Sequence, residues 1–297
     1  MAGVLAVVSA CSGGGGTASG SESREAQGIA PVTAVVNQLR DNYSKQIVSI
    51  ELTNTSDALL TVLGARLESG LFADGISWQA SPGGIQLPPG QTKSLPAPLP
   101  APVCGPAGRG EAAVPTVALR MVPASEPAPA PDPESAPEQT LTAADPYGVL
   151  TRNNAEMCLA AAADAVAGFR LDPGLEVSAD GRTAVVRLLI TPREAGPGAE
   201  AGSLAIVRID GTTLLAEDTA VPWPRALSVR AGGESYEYRL GIRPARCDPH
   251  AVAEDKVGTL LPLRVMVAGR DGVLKVDAGP LLRGRIYDFV TTACTRQ

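Results

Sequence analysis

The sequence predicts a mainly β protein: two tandem β-sandwich domains, immunoglobulin-like in architecture, with one short helix between them or at the end of the first. Three observations predict it. Short apolar runs alternate with polar residues, as in Val48-Ser49-Ile50-Glu51-Leu52 and Val186-Arg187-Leu188-Leu189-Ile190, the period-two pattern of half-buried strands. Glycine and proline (32 and 26 of 297 residues) punctuate these runs too often for long helices. Finally, landmarks recur in the two halves in the same order. Arg66 and Arg208 lie 142 positions apart, Trp78 and Trp223 145, and Cys104 and Cys247 143. Cys158 and Cys294 are 136 apart, a smaller offset that a Pro-rich insert in the first half accounts for.

The chain opens on an apolar run, Ala2 to Val8, followed by small Ser9 and Ala10 and then Cys11. An apolar stretch ending in small residues is the pattern of a secretory signal. A cysteine directly after the small pair resembles the processing site of bacterial lipoproteins. That resemblance implies cleavage before Cys11 and acylation of its thiol, so that residues 1–10 are a signal peptide. No Lys or Arg precedes Cys11 and the run is shorter than the ~15–30 residues of a usual signal. A translation start upstream of Met1, or a trimmed N-terminus, is the expected reason. Residues 11–28 are Gly, Ser, Thr and charge with nothing to bury, so they are expected to form a flexible tether. No later window has the ~18 uninterrupted apolar residues of a membrane span, so the lipid on Cys11 is the expected membrane attachment.

The first domain is expected over residues 29–166. Pro31–Leu39, Gln46–Thr53 and Leu59–Leu67 read as strands separated by polar turns at 41–44 and 54–57. Leu95-Pro96-Ala97-Pro98-Leu99-Pro100 fits only an edge strand or polyproline segment, because proline has no amide hydrogen to give to a central ladder. Val114–Val122 closes the strand set. Residues 123–144, rich in Pro, Ala and Glu, are expected to be an extended solvated insert. Asp145-Pro146 then reads as a helix start, with Asp145 as N-cap and proline at the first position. The helix is expected to run to Val166 with Cys158 on its buried face.

The second domain is expected over residues 167–297. Phe169–Leu171, Leu175–Val177, Thr183–Ile190, Ser203–Ile209, Leu227–Arg230, Ser235–Ile242, Thr259–Val267, Val273–Val276 and Arg285–Val290 read as strands, with a hairpin turn at Ala179-Asp180-Gly181. Each tryptophan precedes both cysteines of its half, whereas in true immunoglobulin domains it lies between them.

The chain carries five cysteines and no Cys-x-x-Cys pair. With Cys11 lipidated, Cys104, Cys158, Cys247 and Cys294 remain, an even set that in an exported chain predicts disulfides. Three pairings are open. If the halves are copies, the economical pairing lies within each copy: Cys104 with Cys158, and Cys247 with Cys294.

The net charge of −6 gives no basic stripe for nucleic acid, and aromatics at 3% leave the cores to Val, Leu, Ile and Ala. There is no Gly-x-Ser-x-Gly elbow and no phosphate loop, so no cofactor is implied. The best candidate for chemistry is the polar loop 246–256, which holds the chain's one histidine. His250 oriented by Asp248 or Asp255 could serve as a base, and Asp248, Glu254 and Asp255 could offer oxygen to a metal. The bland alternative is a surface loop in which Asp248-Pro249 starts a turn. Trp78 and Trp223 read as core plugs rather than sugar-stacking platforms, and Arg66 and Arg208 as partners for buried acids.

The lipidation site and the second half resemble an uncharacterised lipoprotein family of high-G+C Gram-positive bacteria. The resemblance brings no assigned activity and no catalytic residues. The expected function is therefore a membrane-anchored extracytoplasmic binding or scaffolding module of the cell envelope, not an enzyme. Its expected partner is an envelope protein or a glycan. The alternative is a secreted hydrolase or metal-dependent enzyme working through the 246–256 loop.

Overall fold

The computed structural model describes residues 31–105, 114–124, 136–195, 202–253, 255 and 257–295. The expected signal peptide, Cys11, the tether and Glu254 lie outside the described residues, as does half of the Pro-rich insert, residues 125–135. Residues 31–297 form one compact unit, and the protein is mainly β.

The first half holds β1 (Val32–Asn37), β2 (Ile47–Asn54), β3 (Leu60–Glu68), β4 (Ile76–Gln79), β5 (Ile85–Leu87), β6 (Thr92–Pro98), β7 (Thr116–Pro123) and β8 (Glu138–Ala144). They hydrogen-bond in the order β4-β3-β7-β8-β1-β2-β6, with β5 also on β3. All these pairings are antiparallel except β8 with β1. The ladder curls so that its two ends, β4 and β6, pack side by side. Alternation along the strands then turns Val48, Ile50, Leu52, Leu67, Leu95, Val117 and Leu119 into one core, all fully buried. β6 carries Pro96 and Pro98 and pairs only with β2, the edge position that proline requires.

A helix, α1 (Val149–Asp164), follows. Its start lies three residues later than expected. Asp145 caps it from upstream, its carboxylate accepting the Val149 and Leu150 N–H groups at 2.7 and 2.9 Å, while Pro146, Tyr147 and Gly148 make the turn into the helix. Cys158 is buried, as its position on an inward face requires.

The second half holds β9 (Ala167–Leu171), β10 (Glu176–Val177), β11 (Ala184–Pro192), β12 (Ser203–Ile209), β13 (Leu215–Glu217), β14 (Leu227–Arg230), β15 (Tyr236–Pro244), the one-turn helix α2 (Pro249–Ala253), β16 (Leu260–Val267), β17 (Arg270–Asp277) and α3 (Gly279–Thr295). One sheet runs β10-β11-β15-β13 with β9 also on β11, and the other runs β14-β12-β16-β17. Their facing residues, Leu188, Ile190, Leu204, Ile206, Leu240 and Leu263 among them, share a second core. It is a β-sandwich closed by helix.

α1 belongs to both cores. Val149 and Leu150 pack into the first and Leu159 and Ala163 into the second. Leu159 lies so close to β17 that a Cβ on Gly272 would meet its Cδ2 at 2.8 Å, which is why β17 carries glycine there. Lys275 of β17 pairs with Glu156 of α1 at 2.7 Å, and the Tyr43 ring takes Arg152 and Lys275 at 5.5 and 5.9 Å. Gln38 and Asn153, both buried, exchange amide hydrogen bonds at 3.2 and 2.9 Å and fix α1 to the end of β1.

Two expectations are corrected. Residues 285–290 are not a strand but the middle of α3, and the described residues hold two long α-helices and a short one where one helix was expected. Leu282, Ile286, Phe289, Val290 and Ala293 are buried at helical spacing, and their burial outweighs the β preference of Ile, Tyr, Phe and Val in this stretch. Residues 138–144, expected to be solvated, form β8 instead, because Ala143 faces the core and β7 and β1 take up its backbone on both sides.

Candidate functional site

Both disulfides close within their halves. Cys104 bonds Cys158 and Cys247 bonds Cys294, with Cα separations of 5.5 and 5.3 Å. Each ties the loop after an antiparallel strand, β6 or β15, to a long helix, α1 or α3.

The second disulfide anchors the loop 246–256. Asp248 and Pro249 do start a turn, and it becomes α2. The Asp248 carboxylate accepts the His250 N–H at 3.0 Å, and its backbone carbonyl accepts the Val252 N–H at 3.1 Å. His250 itself belongs to no ligating constellation among the described residues. It is exposed, and among the described residues its imidazole meets no carboxylate. Nor do three or more His, Cys, Asp or Glu side chains gather among the described residues as metal ligands would. Among the described residues, which leave out Glu254, the base and metal roles expected of Asp248, His250 and Asp255 find no supporting geometry: His250 is exposed, while Asp255 meets Tyr287 of α3.

Asp255 makes the most contacts of the described acids of this loop. Its Oδ2 accepts the Gly258 N–H at 2.8 Å and the Tyr287 hydroxyl at 3.0 Å, and its Oδ1 accepts the Thr213 hydroxyl. Tyr287 also donates to the Asp255 backbone carbonyl at 3.0 Å. The result is a clamp that holds the loop against α3.

Beside the clamp and the disulfide lies a cleft of about 610 Å³, lined by Cys247, Val252, Asp255, Tyr287, Thr291 and Cys294 among others. Its volume is in the range of ligand-binding clefts, roughly 300–1,000 Å³. Tyr287, Val290, Thr291 and Cys294 reach it because they follow one another at spacings of three and four on α3. Reading 285–290 as a strand hid this: the helical spacing of those residues was the signal that could have revealed it.

The Tyr287 hydroxyl is pushed up to about 12, first by burial and then by the charge and hydrogen bond of Asp255. The native state thus holds this proton more tightly than the unfolded chain. Its contribution to stability is complete below about pH 10, the free tyrosine value, and is lost as pH rises towards 12. In an alkaline ultraviolet titration of the five tyrosines, a step near pH 12 is expected, and Tyr287→Phe should remove it. Burial raises the Tyr238 hydroxyl too, so the clamp is contradicted if the number of tyrosines titrating near pH 12 is the same with and without the substitution.

The remaining candidates are structural. Trp223 is a core plug at 3% exposure, whereas Trp78 is half-buried at the core margin. Arg66 and Arg208 do not pair buried acids. Arg66 meets Glu68 on the surface, and Arg208 shares Asp210 with Arg264 at 2.6 and 2.7 Å. Each arginine shares its strand face with a residue two positions on, so the pairs form at the outer surface. Hydrogen bonds from Arg208 and then Arg264 hold the Asp210 carboxyl below the usual carboxylate range.

No family model matches this chain, and no curated protein matches it. Among solved structures, the exo-chitosanase CsxA of Amycolatopsis orientalis is similar at 13% identity over 77% of this chain and 25% of that one, with a TM-score of 0.21. This chain thus spans about a quarter of that protein's length. The B domain of a biofilm associated protein is similar at 5% identity over 82% of this chain and 83% of that one, with a TM-score of 0.19. The CsuC–CsuE chaperone–adhesion subunit complex from Csu pili of Acinetobacter baumannii is similar at 11% identity over 78% and 91%, with a TM-score of 0.16. Likeness this slight bears on neither the activity nor the partners of the chain.

Proposed function

We propose that this chain is an extracytoplasmic lipoprotein, anchored to the cell membrane through Cys11, and that its folded part is a non-catalytic binding or scaffolding module of the cell envelope. One observation carries the reading: four of the five cysteines pair in two disulfides, leaving Cys11 as the odd one, directly after an apolar run and a small pair. Paired cysteines fit an oxidising compartment, and an unpaired cysteine at that position fits lipid. Two acyl chains suffice for stable anchoring where one alone is marginal. The partner is an envelope protein or a glycan.

The two halves descend, in this reading, from one duplicated ancestor. In support, β1–β2–β6 and β9–β11–β15 pair in the same sense, as do β3–β7–β8 and β12–β16–β17. In each half the third strand of the first set leads into a cysteine that bonds the helix after the last strand.

Expression of the wild type and Cys11→Ser behind a full-length lipoprotein signal peptide in a bacterium, followed by membrane fractionation and mass spectrometry of the N-terminal peptide, tests the anchor. The wild type is expected in the membrane fraction with an acylated Cys11, and the variant in the soluble fraction. A wild type that carries no acyl group, or a variant that stays with the membrane, would refute it. Crosslinking of the lipidated protein in intact envelopes, read by mass spectrometry, identifies the partner.

A further inference from the structure

We propose that the Cys247–Cys294 disulfide is a thiol-exchange site, opened by a dithiol that leaves Cys104–Cys158 intact, and that its opening frees α2 from the last turn of α3. The first thiolate of the dithiol attacks the Cys294 sulfur. A mixed disulfide forms there as the Cys247–Cys294 bond breaks, and Cys247 leaves as a thiolate that is then protonated. The second thiol attacks the mixed disulfide and releases Cys294. Two electrons and two protons thus pass to the cysteine pair from the dithiol, which ends as a disulfide. Cys294 lies in the last turn of α3, where the negative end of the helix disfavours a thiolate, so Cys247 is the better leaving group.

Access separates the two bridges. Cys247 and Cys294 are each partly exposed and line the cleft beside α3, so a thiol reaches this bond without any opening of a core. Cys104 is exposed, but its partner Cys158 is 2% exposed. Attack at Cys104 must therefore expel a thiolate into an apolar interior, which disfavours it.

Support separates them too. A disulfide resists reduction when the fold holds the two thiols together after the bond is cut, because their high effective concentration drives closure. The first pair is held in this way. Asn154 donates to the Leu71 and Val103 carbonyls, the Val103 N–H donates to the Leu71 carbonyl at 2.9 Å, and α1 packs into both cores. The second pair is not. The Ala245 N–H donates to the Leu214 carbonyl at 2.9 Å, and the next described tie from this loop to the rest of the fold, apart from Val252 at the margin of the second core, is Asp255. Arg246, Asp248, Pro249 and His250 between them are exposed, and α2 is a single turn. Cutting this bond lets Cys247 move away, while the Asp255–Tyr287 clamp keeps the change local.

The test uses the folded full chain with Cys11 alkylated beforehand. Dithiothreitol is added, samples are quenched in acid at intervals, and the freed thiols are labelled and assigned by peptide mass spectrometry. Cys247 and Cys294 are expected to be freed at least about tenfold faster than Cys104 and Cys158. In guanidinium chloride sufficient to unfold the chain the two rates should converge, since the difference belongs to the fold. Reduced glutathione in place of dithiothreitol should leave its mixed disulfide on Cys294 in preference to Cys247. Hydrogen exchange on the protein reduced at the second bridge alone should lose protection over 287–295 and keep it over 149–164. Equal or reversed rates in the folded chain, a tenfold difference that survives unfolding, a mixed disulfide held mainly on Cys247, or unchanged protection over 287–295 would each overturn the proposal. The outcome is independent of whether Cys11 is acylated in the cell, so this inference and the membrane anchor fail separately.

Discussion

Replacing Trp223 with alanine is expected to destabilise the protein by about 3–5 kcal/mol, the range for removing a large aromatic from a core. Trp223 sits in the connection between β13 and β14 and is 3% exposed in the second core. Its indole N–H donates to the Gly241 carbonyl at 2.6 Å, and its backbone N–H donates to the Glu217 carboxylate at 2.8 Å. The connection runs hard against β15: the Gly241 N–H donates to the Val221 carbonyl at 2.9 Å, and a Cβ at 241 would stand 2.6 Å from that oxygen. The surrounding backbone is therefore pinned and cannot collapse into the vacated volume, which puts the cost in the upper part of the range. Trp223→Phe separates packing from the hydrogen bond. The Gly241 carbonyl keeps the Asp218 N–H as a donor at 2.9 Å, so phenylalanine should cost roughly a third as much as alanine. Urea unfolding followed by far-ultraviolet circular dichroism measures both, since one of the two tryptophan reporters is what is removed. A loss below about 1 kcal/mol for the alanine variant would mean that the indole does not fill the core. Trp78→Ala, at the half-buried counterpart, is expected to cost markedly less.

The strands with one inward face of Val, Ile and Leu could be read from the chain because burial on one side imposes the period of two directly. β2, β11 and β12 fall within two residues of expectation for that reason. β4, β5 and β13 are three or four residues long and carry too few alternations to register. β8 was hidden by composition. It has one buried residue, Ala143, and is held by backbone pairing to β1 and β7, which leaves no mark on side-chain pattern. α3 was the costly loss. Its start signals are present: the Asp277 carboxylate accepts the Gly279 N–H at 2.8 Å, and Pro280 occupies the first turn. The β-branched and aromatic residues that follow pointed to a strand, and only the spacing of Leu282, Ile286, Phe289 and Ala293 argued for helix.

The site followed the same division. The loop 246–256 could be singled out by its polarity and its histidine, but the residue types with familiar chemistry are not the ones the fold brings together. His250 faces solvent. What meets Asp255 is Tyr287, from a helix 32 residues further on, and no local pattern links the two. The cysteines could be paired because the question was one of correspondence between halves rather than of local preference. The pairing needed the order of landmarks and no knowledge of the strands between them.

Removing the Cys104–Cys158 disulfide, as Cys104→Ser with Cys158→Ala, is expected to cost about 2–4 kcal/mol. The bridged residues are 54 apart in sequence, against 47 for Cys247–Cys294. Loop-closure entropy grows only with the logarithm of loop length, so the unfolded chain gains nearly the same freedom in either case, near 4 kcal/mol on a chain-entropy account. What differs is the native state. Around the first bridge, the Asn154 side chain donates to the Leu71 and Val103 carbonyls at 2.5 and 3.2 Å, and α1 packs into both cores. The helix has reason to stay in place without the sulfur link, and native contacts should survive while global stability falls. The second bridge holds the last turn of α3 next to a helix of a single turn. Cys247→Ser with Cys294→Ala should therefore lower the global unfolding free energy by a similar amount and, in addition, release α2 and the end of α3 locally. Hydrogen exchange resolves the two cases: protection over 149–164 should persist in the first variant, and protection over 287–295 should drop selectively in the second. Equal and uniform loss of protection in both would show that the bridges act on the unfolded chain alone. In that event the α2–α3 cleft owes its shape to the Asp255–Tyr287 clamp rather than to the disulfide beneath it.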